Sequence, residues 1–441
     1  MVQTQIKKKQ IVMAVISVGL LLASQMIGNI VLILAAIVFY LFTIVSAPNG
    51  YIIPLMLFYL PWSPILKISP DSISFVSIAS ILVFFKILFF KKEFSIKTNL
   101  IISFVGLLFV TLSSKMFHEY ELSASYIMFF IMLVVFATIN DLYSDEMNFE
   151  ISVIFFSFGI ILATVASLLC AENVNIQEYI VVFEYEYSGV TRHCGFYGDP
   201  NFYAAQIIPA IGTLLVIISR KKGKRLFSVM LIIALILCGL TSLSKSFLLC
   251  LVLIFAIWLL SLVVTKPSMF LVALFSLVTL LLIVLSTGML SDVIEQYIIR
   301  FSGATDSSSL TTSRSDLWKE YINFLWDNPL ETLFGQGFTS VFNGVHKGSH
   351  NTIIQLIYQF GLLGTVFLSL WFASFKKSQE KPKFFLVVLL LVSCFSMWMG
   401  LDMLFFDDFF LIIMLFFLGL NSCNKETSNP SFKNVGDSVL H

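Results

Sequence analysis

The stretch that decides the fold is GSHNTIIQLIYQFGLLG, residues 348–364, where a long polar segment ends and an apolar helix begins. Its histidine, His350, therefore lies at a boundary between membrane and water. The first backbone N–H groups of a helix carry a positive partial charge, which favours the uncharged form of a neighbouring imidazole. An uncharged imidazole can accept a proton, so His350 is a candidate general base.

The composition of the chain as a whole is strongly hydrophobic. Of its 441 residues, 58% are hydrophobic and 12% are charged, and the mean hydropathy is +0.94, far above that of a soluble domain. Long continuous apolar runs predict spanning helices rather than a barrel, so we predict an all-α, polytopic membrane protein. The net charge of +1 gives no indication of an acidic partner such as nucleic acid. Cys170 and Cys194 could form a disulfide, which the sequence leaves open.

The distribution of lysine and arginine predicts the topology. The basic clusters, beginning with Lys7, Lys8 and Lys9, all fall on one side of the predicted crossings, which the positive-inside rule assigns to the cytoplasm. We therefore expect about 12 to 14 transmembrane helices, with both termini cytoplasmic. One run, residues 51–66, contains three prolines and should be broken or re-entrant. The runs cover residues 11–27, 29–46, 51–66, 72–90, 99–117, 122–139, 150–170, 201–219, 226–242, 245–264, 269–288, 351–374, 384–400 and 404–420.

Three regions follow from this pattern. Residues 1–170 are predicted to form an N-terminal helical scaffold, and residues 171–420 a membrane region that holds the candidate site, including one large external loop at 289–349. Residues 421–441 are polar and are expected to form a disordered cytoplasmic tail.

The large external loop is predicted to contain an amphipathic helix. The sequence SRSDLWKEYINFLWDNP begins at Ser313, a suitable N-cap. Leu317, Tyr321, Phe324 and Leu325 then recur at helical spacing and form one apolar face. The helix should stop at the following Asn-Pro pair, because the residue before a proline avoids helical geometry.

Three cations are predicted near His350, at the outer ends of the bundle: Arg192, Lys245 and Arg314. A charge at a membrane boundary is costly without a partner or ligand. Each could be structural by itself; Arg192 could stabilise its own loop through Asp199, and the others could be solvated or snorkel to the interface. Together they predict a diphosphate site, because fixed cations stabilise the negative charge that develops on a leaving pyrophosphate.

Further polar residues are expected to support this site, namely Asp199, Asn201, Asn351 and Asp402. Asp402 lies at the last outer turn and could pair with the cations or act on a sugar hydroxyl; a solvated turn is the alternative. The outer loops contain no D-x-D-like pair, and the sequence has no Walker loop and no Cys/His ligand spacing, so we expect neither a metal nor a cofactor.

The order and spacing of several motifs resemble one family. These are R-x-x-G-F-Y-G-D-P-N (192–201), S-K (244–245), S-R-S-D-L-W (313–318), N-P-L (328–330), G-Q-G-F (335–338) and H-N-T-x-x-Q-x-x-x-x-x-G-L-L-G (350–364). Over residues 190–370 the chain resembles the O-antigen ligase and polymerase superfamily of bacterial surface-glycan enzymes. Residues 1–150 resemble it only as a generic helical scaffold.

The resemblance implies a GT-C-like fold and a metal-independent glycosyltransferase at the outer face of the bacterial plasma membrane. The donor would be an undecaprenyl-pyrophosphate-linked glycan, the acceptor a glycan hydroxyl, and other polysaccharide-assembly proteins could be partners. His350 would be the base that activates the acceptor, Arg314 would contact the pyrophosphate, and Arg192 would position or bind phosphate. The family usually has arginine where this chain has Lys245, which keeps the charge but loses the bidentate donors.

Three functions remain open at this point. A polymerase would join lipid-linked repeat units into a capsular, O-antigen or exopolysaccharide chain, and we favour it. A ligase would attach finished glycan to a lipid or cell-wall acceptor. A flippase or transporter would instead need charged residues along a path near the bilayer midplane.

Overall fold

Spanning helices dominate the architecture, as predicted. The computed structural model describes residues 2–69, 72–90, 97–117, 124–143, 148–177, 179–180, 183–185, 190–220, 225–288, 290–302, 314–337, 341–342, 345–346, 348–375, 383–404 and 407–422. Six helices in this part of the chain are long and apolar enough to cross a membrane, and a further six apolar helices are shorter. The predicted all-α, polytopic membrane fold is confirmed. The predicted tail lies outside the described residues from 423 onward.

The helices follow the predicted apolar runs closely, because a buried or lipid-facing helix must be apolar over its whole length. They are α1 (Val2–Ile27), α2 (Ile30–Val45), α3 (Ile52–Tyr59), α4 (Phe75–Phe90), α5 (Thr98–Phe117), α6 (Ala124–Tyr143), α7 (Phe149–Leu169), α8 (Val174–Gln177), α9 (Pro200–Arg220), α10 (Arg225–Leu240), α11 (Lys245–Thr265), α12 (Pro267–Thr287), α13 (Ser291–Ser302), α14 (Arg314–Asp327), α15 (Pro329–Phe334), α16 (Thr352–Ala373), α17 (Phe384–Phe395) and α18 (Asp407–Ser422).

Two short hairpins accompany the helices and were not predicted. Strand β1 (Phe183–Tyr185) pairs antiparallel with β2 (Val190–Arg192), and β3 (Val341–Phe342) pairs antiparallel with β4 (Val345–His346). Both hairpins lie in the polar segments that precede a spanning helix. The first hairpin ends at Arg192, and the second precedes His350; both are candidate site residues.

The proline-containing run is broken, as expected. Helix α3 has only eight residues and is flanked by the 3-10 turns Asn49–Tyr51 and Leu60–Trp62. Every residue of α3 is buried, and the helix packs against α7 in the middle of the core.

Several helices end together at one basic end of the bundle. Arg220, at the end of α9, donates hydrogen bonds to Ser422, at the end of α18. Lys97, before α5, donates to the carbonyl of Ser374, after α16, with an Nζ–O distance of 3.3 Å. Lys266, between α11 and α12, donates to the last turn of α9. The opposite ends of α9, α11, α16 and α18 therefore meet at the other end of the bundle, which we call the site end.

Candidate active site

His350 lies at the site end, immediately before the N-cap of α16. Asn351 is the cap, and its side-chain oxygen accepts hydrogen bonds from the N–H groups of Ile353 (3.0 Å) and Ile354 (3.2 Å). His350 is therefore not needed to cap the helix, and its side chain is exposed. Its φ of 49° lies in the left-handed region, which costs a residue with a Cβ about 1–2 kcal/mol.

The chain on both sides of this histidine is fixed by hydrogen bonds. The indole of Trp318, on α14, donates to the carbonyl of Ser349 at 3.0 Å. The N–H of Ser349 donates to the side chain of Gln355 at 3.0 Å, and the amide of Asn351 donates to the carbonyl of Met399 at 3.2 Å. These contacts join α14, α16 and the 3-10 turn Ser396–Gly400, so the histidine is held where three elements meet.

Arg314 begins α14 and reaches toward the same 3-10 turn. A Cβ built on Gly400 would lie 3.2 Å from the Arg314 Nη1 atom and 3.7 Å from the Ser246 Oγ atom. Both atoms thus lie within 4 Å of one point on the turn. Because Ser246 follows Lys245, the structure brings Arg314 to the first turn of α11, where a second predicted cation lies. Ser313, predicted as the N-cap of α14, lies outside the described residues.

Lys245 and Arg192 meet around α13. The Lys245 ammonium lies 5.3 Å from the centroid of the Phe301 ring and is close enough to Arg300 to feel its charge. Tyr297, on the same helix, is buried, which raises the pKa of its phenol, while Arg300 and Arg192 lower it. Two arginines therefore lie near one buried tyrosine, and Lys245 lies near one of them, so three cations gather around α13.

Arg192 is fixed by the loop between α10 and α11. The Arg192 side chain is 5% exposed, and its Nε donates to the carbonyl of Ser242 at 3.0 Å. In the same loop Ser244 donates to the side-chain oxygen of Asn201 at 2.7 Å. Asp199 accepts from the N–H of Asn201 at 2.6 Å. The predicted supporting residues Asp199 and Asn201 therefore order the loop that ends at α9 and link it to the loop that holds Arg192.

Backbone strain is found at two non-glycine residues, and both lie at this site. Among the described residues, only Leu243 and His350 combine a side chain with a positive φ, at 48° and 49°. Leu243 lies between Ser242 and Ser244, beside the cations. Strained backbone persists where surrounding contacts enforce it, and such residues are found preferentially at functional sites.

Asp402 lies beside the approach to the histidine. A Cβ built on Gly348 would be 3.9 Å from the Asp402 Oδ2 atom. Burial raises the pKa of this carboxyl to about 6, and a weak hydrogen bond from the N–H of Leu404 opposes the rise. Asp402 is therefore a carboxyl with a raised pKa that lies beside Gly348, two residues before the candidate base in the chain. Cys170 and Cys194, by contrast, form no disulfide.

Arg300 was not predicted as a site residue, because the only helix predicted in the external loop is the one that begins at Ser313, whereas Arg300 lies on α13. A signal was available, since Ile294, Tyr297, Ile298 and Phe301 recur at i, i+3, i+4 and i+7 and predict a short amphipathic helix. Trp318 and Gln355 have no such signal in the sequence. Both bind the backbone of Ser349, and a periodic pattern does not reveal a bond from a side chain to the backbone of a loop residue.

One family comparison found a match, over about a third of the chain. Residues 229–369 match the family model described as O-Antigen ligase. The match supports the resemblance to the O-antigen ligase and polymerase superfamily that the sequence motifs predict. The matched region contains Lys245, Arg300, Arg314 and His350, whereas Arg192 and Asp402 lie outside it. No curated protein and no solved structure matches the chain. The protein is thus a multi-pass membrane protein with an O-antigen ligase or polymerase type of function.

Proposed function

We propose that this protein is a glycosyltransferase that polymerises undecaprenyl-pyrophosphate-linked repeat units at the outer face of the bacterial plasma membrane. The observation that supports the proposal is that Arg192, Lys245, Arg300, Arg314 and His350 all lie at the same end of the bundle. In this reaction an acceptor hydroxyl attacks the anomeric carbon of the donor sugar. The bond from that carbon to the pyrophosphate oxygen breaks, and the undecaprenyl pyrophosphate leaves with the bonding electrons.

The side chains would divide this work by their chemistry. His350 accepts the proton of the attacking hydroxyl, for which its exposed position is suitable. The cations stabilise the negative charge on the departing pyrophosphate, and partial burial makes each fixed charge more effective. Arg314 offers two parallel donors to phosphate, whereas Lys245 offers a single point charge. Four cations supply the charge that a divalent metal ion would otherwise provide, so we expect transfer to be independent of metal.

A ligase is the second candidate, and the description of the matching family favours it. Both reactions share the donor half of the site, so the cationic cluster is compatible with either. A flippase or transporter is less well supported, because its charged residues would follow a path near the bilayer midplane. Here the cations gather around α13 and the first turns of α11 and α14, at one end of the bundle.

The base assignment is tested by replacing His350 with asparagine. Asparagine tolerates a left-handed backbone and has a similar size, but it cannot act as a base near neutral pH. We expect His350→Asn to abolish glycan elongation while the amount of protein in the membrane is unchanged. Lys319, on the exposed side of α14, provides the matched control, and Lys319→Ala should elongate normally. Long-chain product in the His350→Asn strain would refute the assignment.

The choice between polymerase and ligase is tested by the lipid-linked sugars of a deletion strain. A missing polymerase leaves single repeat units on the carrier, whereas a missing ligase leaves full-length chains. Mass spectrometry of the extracted carrier lipids distinguishes the two, and full-length chains would replace our proposal by the ligase.

A further inference from the structure

A polar cavity opens at the site end, apart from the cationic cluster. It has a volume of about 400 Å³ and lies between α4, α6 and the first turn of α18, a size within the usual range for small-molecule sites. Its polar wall includes Asp407, Asp408 and Lys67, and its apolar wall includes Phe129 and Met132. We call it the acidic cavity. All of its lining residues lie outside the matched region 229–369, and the reaction described above does not use it.

Two carboxylates of the acidic cavity are held in fixed positions. Asp408 is 1% exposed, and its two oxygens accept hydrogen bonds from Gln206 Nε2 (2.8 Å) and from the Tyr197 hydroxyl (3.2 Å). Asp407 accepts a hydrogen bond from Ser77 at 2.6 Å. Because a carboxylate has about four acceptor positions, both groups retain the capacity to accept hydrogen bonds from a ligand in the cavity.

The acidic cavity differs in its chemistry from the cationic cluster. Two aspartates and one lysine line the cavity, whereas Arg192 and Arg300 act on Tyr297 and Lys245 lies near Arg300. A pyrophosphate would be repelled from the carboxylates and attracted to the arginines. Neutral hydroxyl groups, by contrast, can donate to carboxylates, and the apolar faces of sugar rings can pack on aromatic side chains.

The wall of the cavity is joined by hydrogen bonds to the beginning of α16, the helix that follows His350. The Thr352 hydroxyl, in the first turn of α16, donates to the carbonyl of Leu401 at 2.7 Å and accepts from the N–H of Met403 at 3.1 Å. The next residue, Leu404, lines the cavity. One turn of chain, residues 401–404, therefore separates the cavity from the beginning of α16.

From these observations we infer that the acidic cavity binds the uncharged sugar end of the acceptor glycan. This inference rests on the proposed glycosyl transfer. The two carboxylates accept hydrogen bonds from sugar hydroxyls, and the ring packs against the wall formed by Phe129 and Met132. Because Leu404 in the cavity wall is adjacent to the beginning of α16, a glycan whose end occupies the cavity can extend past residues 401–404 and present a hydroxyl to His350, while the cations hold the donor pyrophosphate.

The competing occupant is a small cation, because carboxylate and hydroxyl oxygens also bind metal ions. The apolar wall and the volume of the cavity favour a sugar, since a cation site closes around a single ion. The experiment must therefore separate the two ligands.

The test uses the full-length protein purified in detergent and an oligosaccharide probe. The probe is released by mild acid from the lipid-linked repeat units that accumulate in a deletion strain, and it serves as a soluble acceptor. Ser80→Leu fills the cavity; the Ser80 hydroxyl donates to the Val76 carbonyl of its own helix, a bond whose loss costs little. Ser369→Leu is the matched control, because the Ser369 hydroxyl also bonds within its own helix but faces outward.

We expect Ser80→Leu and Asp408→Asn to raise the KM for the soluble acceptor roughly 10- to 100-fold, with the KM for the lipid-linked donor unchanged. Saturation-transfer NMR should show probe binding to the wild type and to Ser369→Leu, and its loss in Ser80→Leu. If both cavity variants transfer glycan at the wild-type rate with an unchanged KM for the acceptor, the inference is overturned and the proposed function is unaffected. Probe binding in the cavity without any transfer would instead overturn the proposed function. Calcium or sodium binding that is lost in Asp408→Asn, with probe binding retained, would identify a cation site and overturn the inference.

Discussion

The kink in α16 yields the sharpest stability prediction. Gly361 interrupts this spanning helix with a φ of 65° and a ψ of −179°, a backbone region that is almost restricted to glycine. Gly335, after α15, has a similar conformation, with a φ of 78° and a ψ of 165°. A Cβ built on Gly361 would lie 2.3 Å from the carbonyl oxygen of Leu333 and 2.6 Å from the nitrogen of Gly335. We therefore predict that Gly361→Ala is strongly destabilising.

The magnitude follows from two terms. An alanine held in this backbone region costs about 1–3 kcal/mol. To relieve the overlap, the segment after α15 must also retreat from α16, which breaks the bonds from the N–H of Gln336 to the Tyr358 carbonyl (2.7 Å) and from the N–H of Gly337 to the Gln359 carbonyl (3.0 Å). Carbonyls left without donors inside a membrane are costly. The free energy of unfolding should fall by about 3–6 kcal/mol.

The assay is thermal unfolding in detergent at one scan rate, with Gly19→Ala as the control. Gly19 lies in α1 with nothing within 4 Å of a built Cβ, so alanine there should be neutral or slightly stabilising. We expect Gly361→Ala to melt about 3–6 °C below the wild type, and Gly335→Ala to behave in the same way. If Gly361→Ala melts at the same temperature as Gly19→Ala, the contact between Gly361 and Gly335 does not enforce the kink, and the reasoning is refuted.

Three further predictions concern the site. Arg314→Lys should lower glycan transfer more than Lys245→Arg does, because only the first change removes bidentate donors to phosphate; the reverse ranking in elongation assays would mean that the phosphate ligands are assigned the wrong way round. Arg300→Ala should lower kcat/KM for the lipid-linked donor roughly 10- to 100-fold, whereas the exposed Lys319→Ala should not, and equal effects would remove Arg300 from the site. Burial raises the pKa of Asp402 from 3.8 to about 6, so the folded protein binds the proton more tightly and wild-type stability rises as the pH falls from about 6 to about 4. Asp402→Asn should therefore melt above the wild type at pH 7, and a gain that does not shrink toward pH 4 would contradict this account.

Hydropathy and local backbone chemistry were sufficient to predict most of the long apolar helices and several of their ends. Helix α9 was predicted over 201–219 and spans Pro200–Arg220, and α14 ends where Asn328 and Pro329 follow it. The three prolines of run 51–66 likewise predicted the broken α3. These features depend on hydropathy and on local backbone sterics, which neighbouring residues fix without reference to the rest of the chain.

Only the tertiary structure decided how these helices combine into a site. The contact of Lys245 with α13, the approach of Arg314 to Gly400, and the bond from Ser77 to Asp407 all join residues that are remote in sequence. The kink at Gly361 was also not predicted. The carbonyls of Tyr358 and Gln359, just before the kink, accept hydrogen bonds from the segment after α15 rather than from their own helix. Hydropathy says which segments enter the membrane, but which helix faces pack together depends on the complementary shapes of side chains throughout the core.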